Sequence, residues 1–217
     1  MTNVSGTAEK ISTRAHLFQI AVRALENEGW MVERISRIGK ASVRRITKGK
    51  VSKKVSIRTS QDTWIAFPRN KTDTDWATLA DVDFVVASSV DDRDNPKFAQ
   101  VHMIDADDMR ARYDRAYAAR KAADYTMPVG RGIWLSLYDE EKDQPVTLVG
   151  AGAGLANPAI AKVPMIATTL DEQEEDDVES QEKAEATEAP LTIAEAKRRL
   201  AVTLGVSEAD IKITITG

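Results

Sequence analysis

Nine cations and no acid occupy residues 37–58: Arg37, Lys40, Arg44, Arg45, Lys48, Lys50, Lys53, Lys54 and Arg58. Guanidinium and ammonium groups at this density hold phosphates, and they do so with an affinity that falls steeply as salt displaces them. The competing use is defensive, because lysines along a strand discourage edge-to-edge pairing. Trp64 and Phe67 follow closely and are suited either to base stacking or to a core. The carboxylates available for magnesium chemistry are Glu26 and Glu28, then Asp62, Asp81 and Asp83.

Several chemistries are excluded by residue type. With no cysteine there is no disulfide framework, no thiolate zinc site and no thiol nucleophile. The two histidines, His16 and His102, cannot make a three-histidine metal site. His16 falls on an amphipathic helical pattern and His102 alternates with apolar residues, so both read as structural. No stretch approaches the roughly 18 apolar residues of a membrane span, and residues 1–10 lack a signal-peptide core. The expectation is a cytoplasmic chain without a cofactor or metal, not acting on a membrane.

The elements that position the cations follow from periodicity. Leu17, Ile20, Ala21, Ala24 and Leu25 recur at three- and four-residue steps, predicting a helix over residues 12–29 that Gly29 stops. Residues 30–35 read as a strand. Residues 43–47 and 51–59 form a basic hairpin around Lys48-Gly49-Lys50, where the glycine permits a tight turn. Residues 62–67 continue as a short strand, and Asp75 is placed to cap a turn of helix over Trp76, Thr78 and Leu79. Residues 82–87 are apolar enough for a buried central strand in which Asp83 needs partners, with residues 98–104 as its neighbour. Asp105 caps a helix to about residue 123, with acids in its first turn and Arg120 and Lys121 near its end. Residues 133–138 and 146–149 are expected to form a last strand pair. The fold class is therefore α/β (α+β), a mixed central sheet flanked by helices over residues 1–149.

Beyond that the composition shifts. Gly150-Ala151-Gly152-Ala153-Gly154 lacks the lysine of a phosphate loop, and Asn157-Pro158 interrupts any following helix, so residues 150–190 read as a flexible linker. Ten acids against one lysine give residues 171–188 a charge of −9, with few apolar residues, and this run is expected to be disordered. Residues 1–60 carry +9, so the overall −4 averages a basic head and an acidic tether. Either a solvated spacer or a competitor folding back on the basic surface fits that tether. Residues 191–217 read as a helix–strand unit too small to fold alone, with Ile193, Ala196, Leu200 and Leu204 on its helix face and Ile211, Ile213 and Ile215 on its strand.

The order of elements in residues 12–123 resembles the restriction-endonuclease-like PD-(D/E)XK superfamily. The likeness is carried by Val55-Ser56-Ile57-Arg58-Thr59 followed by Trp64, by Val82-Asp83-Phe84-Val85-Val86, and by Val101-His102-Met103-Ile104-Asp105. It implies a nuclease-like topology in which a first-helix glutamate, a strand aspartate and an acid-x-lysine pair hold magnesium. Here the acid-x-lysine position falls on Ser56-Ile57-Arg58, and the preceding strand offers Arg44 and Arg45 in place of an aspartate. The resemblance thus implies a degenerate member without catalytic residues, unless an alternative set drawn from Asp62, Asp81, Asp83, Glu26 and Glu28 binds metal.

The sequence therefore leads to a non-catalytic nucleic-acid-binding protein, DNA preferred to RNA, with the nine cations making phosphate contacts. Two other readings stand beside it. One is an interaction or homo-oligomer-forming protein acting through residues 191–217, and the other is a magnesium-dependent nuclease.

Overall fold

A computed structural model describes residues 8–35 and 42–165. The chain divides into two units, residues 1–184 and 185–217, and the elements below belong to the first. Its centre is a six-stranded, mostly antiparallel sheet in the order β1 (Met31–Arg34), β2 (Val43–Lys48), β3 (Val51–Ser60), β5 (Phe84–Val90), β6 (Phe98–Asp105) and β8 (Ala159–Pro164), with helices on its faces and a separate two-stranded ribbon of β4 (Trp64–Pro68) and β7 (Gly132–Ser136).

Helix α1 (Ala8–Asn27) buries Leu17, Ile20, Ala21, Ala24 and Leu25, the residues whose spacing marks its apolar stripe. It ends where Gly29 takes φ 84°, with Gly29 N–H donating to the Glu26 carbonyl and Trp30 N–H to that of Leu25. This paired closure needs a residue free to adopt positive φ. β1 (Met31–Arg34), β2 (Val43–Lys48) and β3 (Val51–Ser60) then run as an antiparallel meander. Gly49, at φ 60°, is the first of the two residues turning β2 into β3, the position reserved for glycine in one of the two turns that match strand twist.

β4 (Trp64–Pro68) leaves the sheet, and a 3-10 turn at Leu79–Asp81 returns the chain to β5 (Phe84–Val90), which lies parallel to β3. β6 (Phe98–Asp105) pairs antiparallel with β5, as the two apolar runs predict. The Asp105 carboxylate accepts from the N–H groups of Asp107 and Asp108, capping α2 (Ala106–Ala122) as its sequence leads one to expect. Asp75 departs from expectation. It accepts from Trp76 N–H, but the helical turn begins only after Thr78, because Trp76 is held in a bridge to Arg69.

Two apolar layers sandwich the sheet. The α1 layer includes Leu17, Leu25, Ile46, Val55, Ile57, Val86 and Val101. The α2 layer includes Phe67, Trp76, Val85, Ile104, Met109, Tyr113, Ile133 and Leu135. In the latter, Phe67 and Tyr113 meet edge to face at 5.3 Å, and the Trp76 indole N–H donates to Asp114.

Two expectations fail in the last third. Residues 146–149 do not pair with residues 133–138; they contain a 3-10 turn, and β7 (Gly132–Ser136) pairs with β4 instead. Ile65 and Phe67 on β4 alternate inward in step with Ile133 and Leu135 on β7, so the ribbon buries one shared face, which residues 146–149 lack the length to provide. Nor does a flexible linker start at residue 150. α3 (Ala153–Ala156) and β8 (Ala159–Pro164) follow, with β8 antiparallel to β6 at the sheet edge. The glycines there serve close approach. A Cβ at Gly150 would run into the Arg112 carbonyl, and one at Gly154 would stand 2.7 Å from the Tyr138 ring. Residues 166–190, where the acidic run falls, lie outside the described residues.

Candidate nucleic-acid interface

Strand pairing sorts the cations that the sequence presents as one run. In β2, Val43, Arg45 and Thr47 share the face toward α2, while Arg44, Ile46 and Lys48 share the face toward α1. Arg44 is consequently buried, its guanidinium 5.0 Å from the Phe18 ring and donating to the Val43 carbonyl at 3.2 Å. It is a structural cation, and its expected place in the phosphate-contacting set is corrected. Burial follows from parity, since Arg44 shares with Ile46 the face of β2 that lies beneath α1.

Lys48 is exposed but already engaged, because its Nζ donates to the Glu28 carbonyl at 2.6 Å, at the end of α1. Its charge complements the negative pole of the helix. Lys53 pairs with Asp83 at 3.0 Å, and Asp83 also accepts from the Lys54 backbone N–H at 2.8 Å. The Lys54 N–H, opposed by burial and helped by Lys53, holds the Asp83 carboxyl below its usual range. Asp83 thus has the partners that its apolar surroundings demand.

Besides Lys48, three cations of the hairpin are exposed among the described residues: Arg45, Lys50 and Lys54. Arg45 and Lys54 are Cα partners across β2 and β3, so their side chains stand side by side on the face toward α2. Glu33 of β1 lies on the other side of Arg45. Lys50 occupies the turn beyond them. Arg37 and Lys40 lie outside the described residues. Arg34, absent from the sequence-based set, is exposed on edge strand β1 opposite Arg44; only the β1–β2 register reveals that placement.

Arg58 stands apart from these. It is half-buried over Phe67, the guanidinium carbon 4.3 Å from the ring centre, in the α2 layer. Phe67 is wholly buried and so belongs to the core, whereas Trp64 is half-buried on the outer side of the ribbon.

The carboxylates do not assemble. Asp62 accepts from the Ser60 hydroxyl at 3.0 Å and from Trp64 N–H, Asp83 is engaged as above, and Glu26, Glu28 and Asp81 are exposed. Among the described residues, no group of three or more histidine or acidic side chains is gathered to hold a metal ion. His102 is buried, its Nδ1 2.7 Å from the Asn157 carbonyl and its Nε2 3.0 Å from the Tyr138 hydroxyl. The carbonyl fixes the proton on Nδ1, leaving Nε2 to accept from the tyrosine. Burial lowers the His102 pKa, partly offset by the carbonyl, and burial pushes Tyr138 up to about 12. His16 is half-buried on α1, its pKa lowered by burial and then by Arg23.

No described helix is long and apolar enough to cross a membrane. Ile193, Ala196, Leu200, Leu204, Ile211, Ile213 and Ile215 lie outside the described residues. No protein-family profile, no curated protein and no solved structure matches this chain.

Proposed function

We propose that this chain is a non-catalytic nucleic-acid-binding protein that meets phosphates with the outer face of its basic hairpin. The observation that carries the reading is the exposed cross-strand pair Arg45 and Lys54, continued by Lys50 at the turn. Two strand-borne cations with Cα atoms about 5 Å apart present a fixed double charge, and a polyphosphate backbone matches such an array by releasing its counterions. The nuclease-like scaffold belongs to the same proposal. Its support is the order of a helix, a three-stranded meander and a strand parallel to the third, with Ser56-Ile57-Arg58 on that third strand.

The test is fluorescence anisotropy of labelled duplex and single-stranded DNA and RNA, at several salt concentrations, with the full chain and its Arg45→Glu/Lys50→Glu/Lys54→Glu variant. Each phosphate contact contributes about −0.9 to the log–log salt slope on duplex, so loss of all three should flatten it by about 2.7. Binding that survives the triple substitution with its slope unchanged defeats the proposal. Arg44 and Lys48 are poor choices for this experiment, because charge reversal there damages the seat of α1.

A further inference from the structure

Among the described residues, Arg58 is a cation without an anion. Its Nε atom is shielded from solvent and has no hydrogen-bond partner. Two residues back on the same face of β3, the Ser56 hydroxyl is also wholly buried and unpartnered. The other arginines of this layer are served differently. Arg120 donates to the carbonyls of Trp134 and Thr147, Arg112 to Asp108 and to the Ala151 carbonyl, and Arg69 to Asp73. Only Arg58 among these four is given no carbonyl or carboxylate to bond.

Such an arrangement is costly. A shielded guanidinium N–H and a buried hydroxyl each lose water without a replacement, and well-packed apolar side chains of similar volume are usually at least as stable. Stacking on Phe67 recovers part of the cost but satisfies no N–H. Burial lowers the Arg58 pKa to about 10, with Tyr113 opposing, so the group stays charged at neutral pH. Ser56 and Arg58 are two residues apart on one strand, so both side chains leave it on the same face.

We propose that Arg58 and Ser56 form a binding site for a single phosphate group, gripped by the guanidinium fork and oriented by the hydroxyl. Lys54 occupies the next position of the same face and Arg45 lies beside it, so the site continues the row of hairpin cations inward. The inference deepens the hairpin reading and rests on it only for the source of the phosphate, a strand terminus as opposed to a free phosphate ion.

The experiment uses the full chain and two probes. The first is one short single strand carrying either a 5′-phosphate or a 5′-hydroxyl, followed by anisotropy. The second is inorganic phosphate, followed by thermal denaturation against sodium chloride of equal ionic strength. A hydrogen-bonded charge contact predicts about tenfold tighter binding of the 5′-phosphate strand. Arg58→Lys, which keeps the charge but loses the fork, should abolish that preference, and Ser56→Ala should reduce it severalfold while leaving the 5′-hydroxyl strand unaffected. If Arg58→Lys does not fold, Ser56→Ala decides alone. Should neither strand bind while inorganic phosphate raises Tm in a Ser56- and Arg58-dependent way, the site stands with a free phosphate as its ligand and the hairpin reading fails. Equal binding of the two strands with no rise in Tm beyond that in chloride overturns the inference, as does a preference that both variants retain.

Discussion

The two halves of β3 contrast within one continuous strand. Val51, Ser52 and Lys54 are exposed, with Lys53 half-buried, whereas Val55, Ser56 and Ile57 are wholly buried. The change comes where β5 begins to pair, with Phe84 beside Val55. Before that point β3 pairs with β2 alone; from Val55 on it pairs with β5, with β2 still beside Val55 and Ser56, and apolar layers lie on both faces. The lesson is that a run of cations in sequence is not a patch on a surface. Lys54 and Arg58 share a face and a strand, yet one meets water and the other meets Phe67.

That contrast can be broken most forcefully from the inside. Ile57→Ala removes a fully buried side chain from the α1 layer and should cost about 2–5 kcal/mol in urea denaturation, against less than about 0.5 kcal/mol for exposed Val51→Ala. Equal losses at the two positions would erase the distinction between the halves. Reversing charge on neighbouring residues sharpens the same point on β2. Arg44→Glu places a carboxylate under α1 and should destabilise by about 3 kcal/mol or more, whereas Arg45→Glu should leave the midpoint nearly unchanged and weaken nucleic-acid binding.

A third measurement concerns the junction itself, which Asp83 clamps through Lys54 N–H and Lys53. The folded-state pKa of Asp83 lies below its ordinary value, so its contribution is present above the unfolded pKa and is lost as pH falls through the folded one. Asp83→Asn should lower stability by about 1 kcal/mol at neutral pH, and the gap from the parent should close in acid. His102, on β6, acts in the same direction from a different cause. Burial disfavours its charged form, so unfolded chains take up more protons below about pH 6.5 and stability falls as pH drops from there toward the lower folded pKa. His102→Gln should shrink that component of the pH profile. A modest effect is expected at Lys48→Met, which loses the bond to the Glu28 carbonyl and should cost about 0.3–1 kcal/mol.

Legibility in the sequence tracked how local the cause was. α1, the hairpin, the β5–β6 pair and the Asp105 cap were readable because periodicity, a turn glycine or a capping side chain acts within a few residues. The partner of β7 was not, because β4 lies some 65 residues earlier and both runs have equal claims to other neighbours until the shared face forms. Glycine at 150, 152 and 154 signals flexibility in one setting and tight packing in another, and only the Arg112 carbonyl and the Tyr138 ring distinguish them. The candidate site was half legible. Charge density pointed to the hairpin, but which cations face water depended on a register that a list of residue types does not contain. The orphaned pair Ser56 and Arg58 was visible in sequence only as a departure from the acid-x-lysine pattern.

The placement of β8 bears on which strand forms the edge of the sheet. β6 is an inner strand only because six residues after α3 return to cover it, with the Asn157 carbonyl fastened to His102 just before they do. A chain cut at residue 149 would leave β6 with a bare row of amide and carbonyl groups from Phe98 to His102, an open invitation to strand addition by another copy. What composition suggests can be trimmed away is thus part of the sheet, and shortening the protein there would turn the inner strand β6 into an open edge.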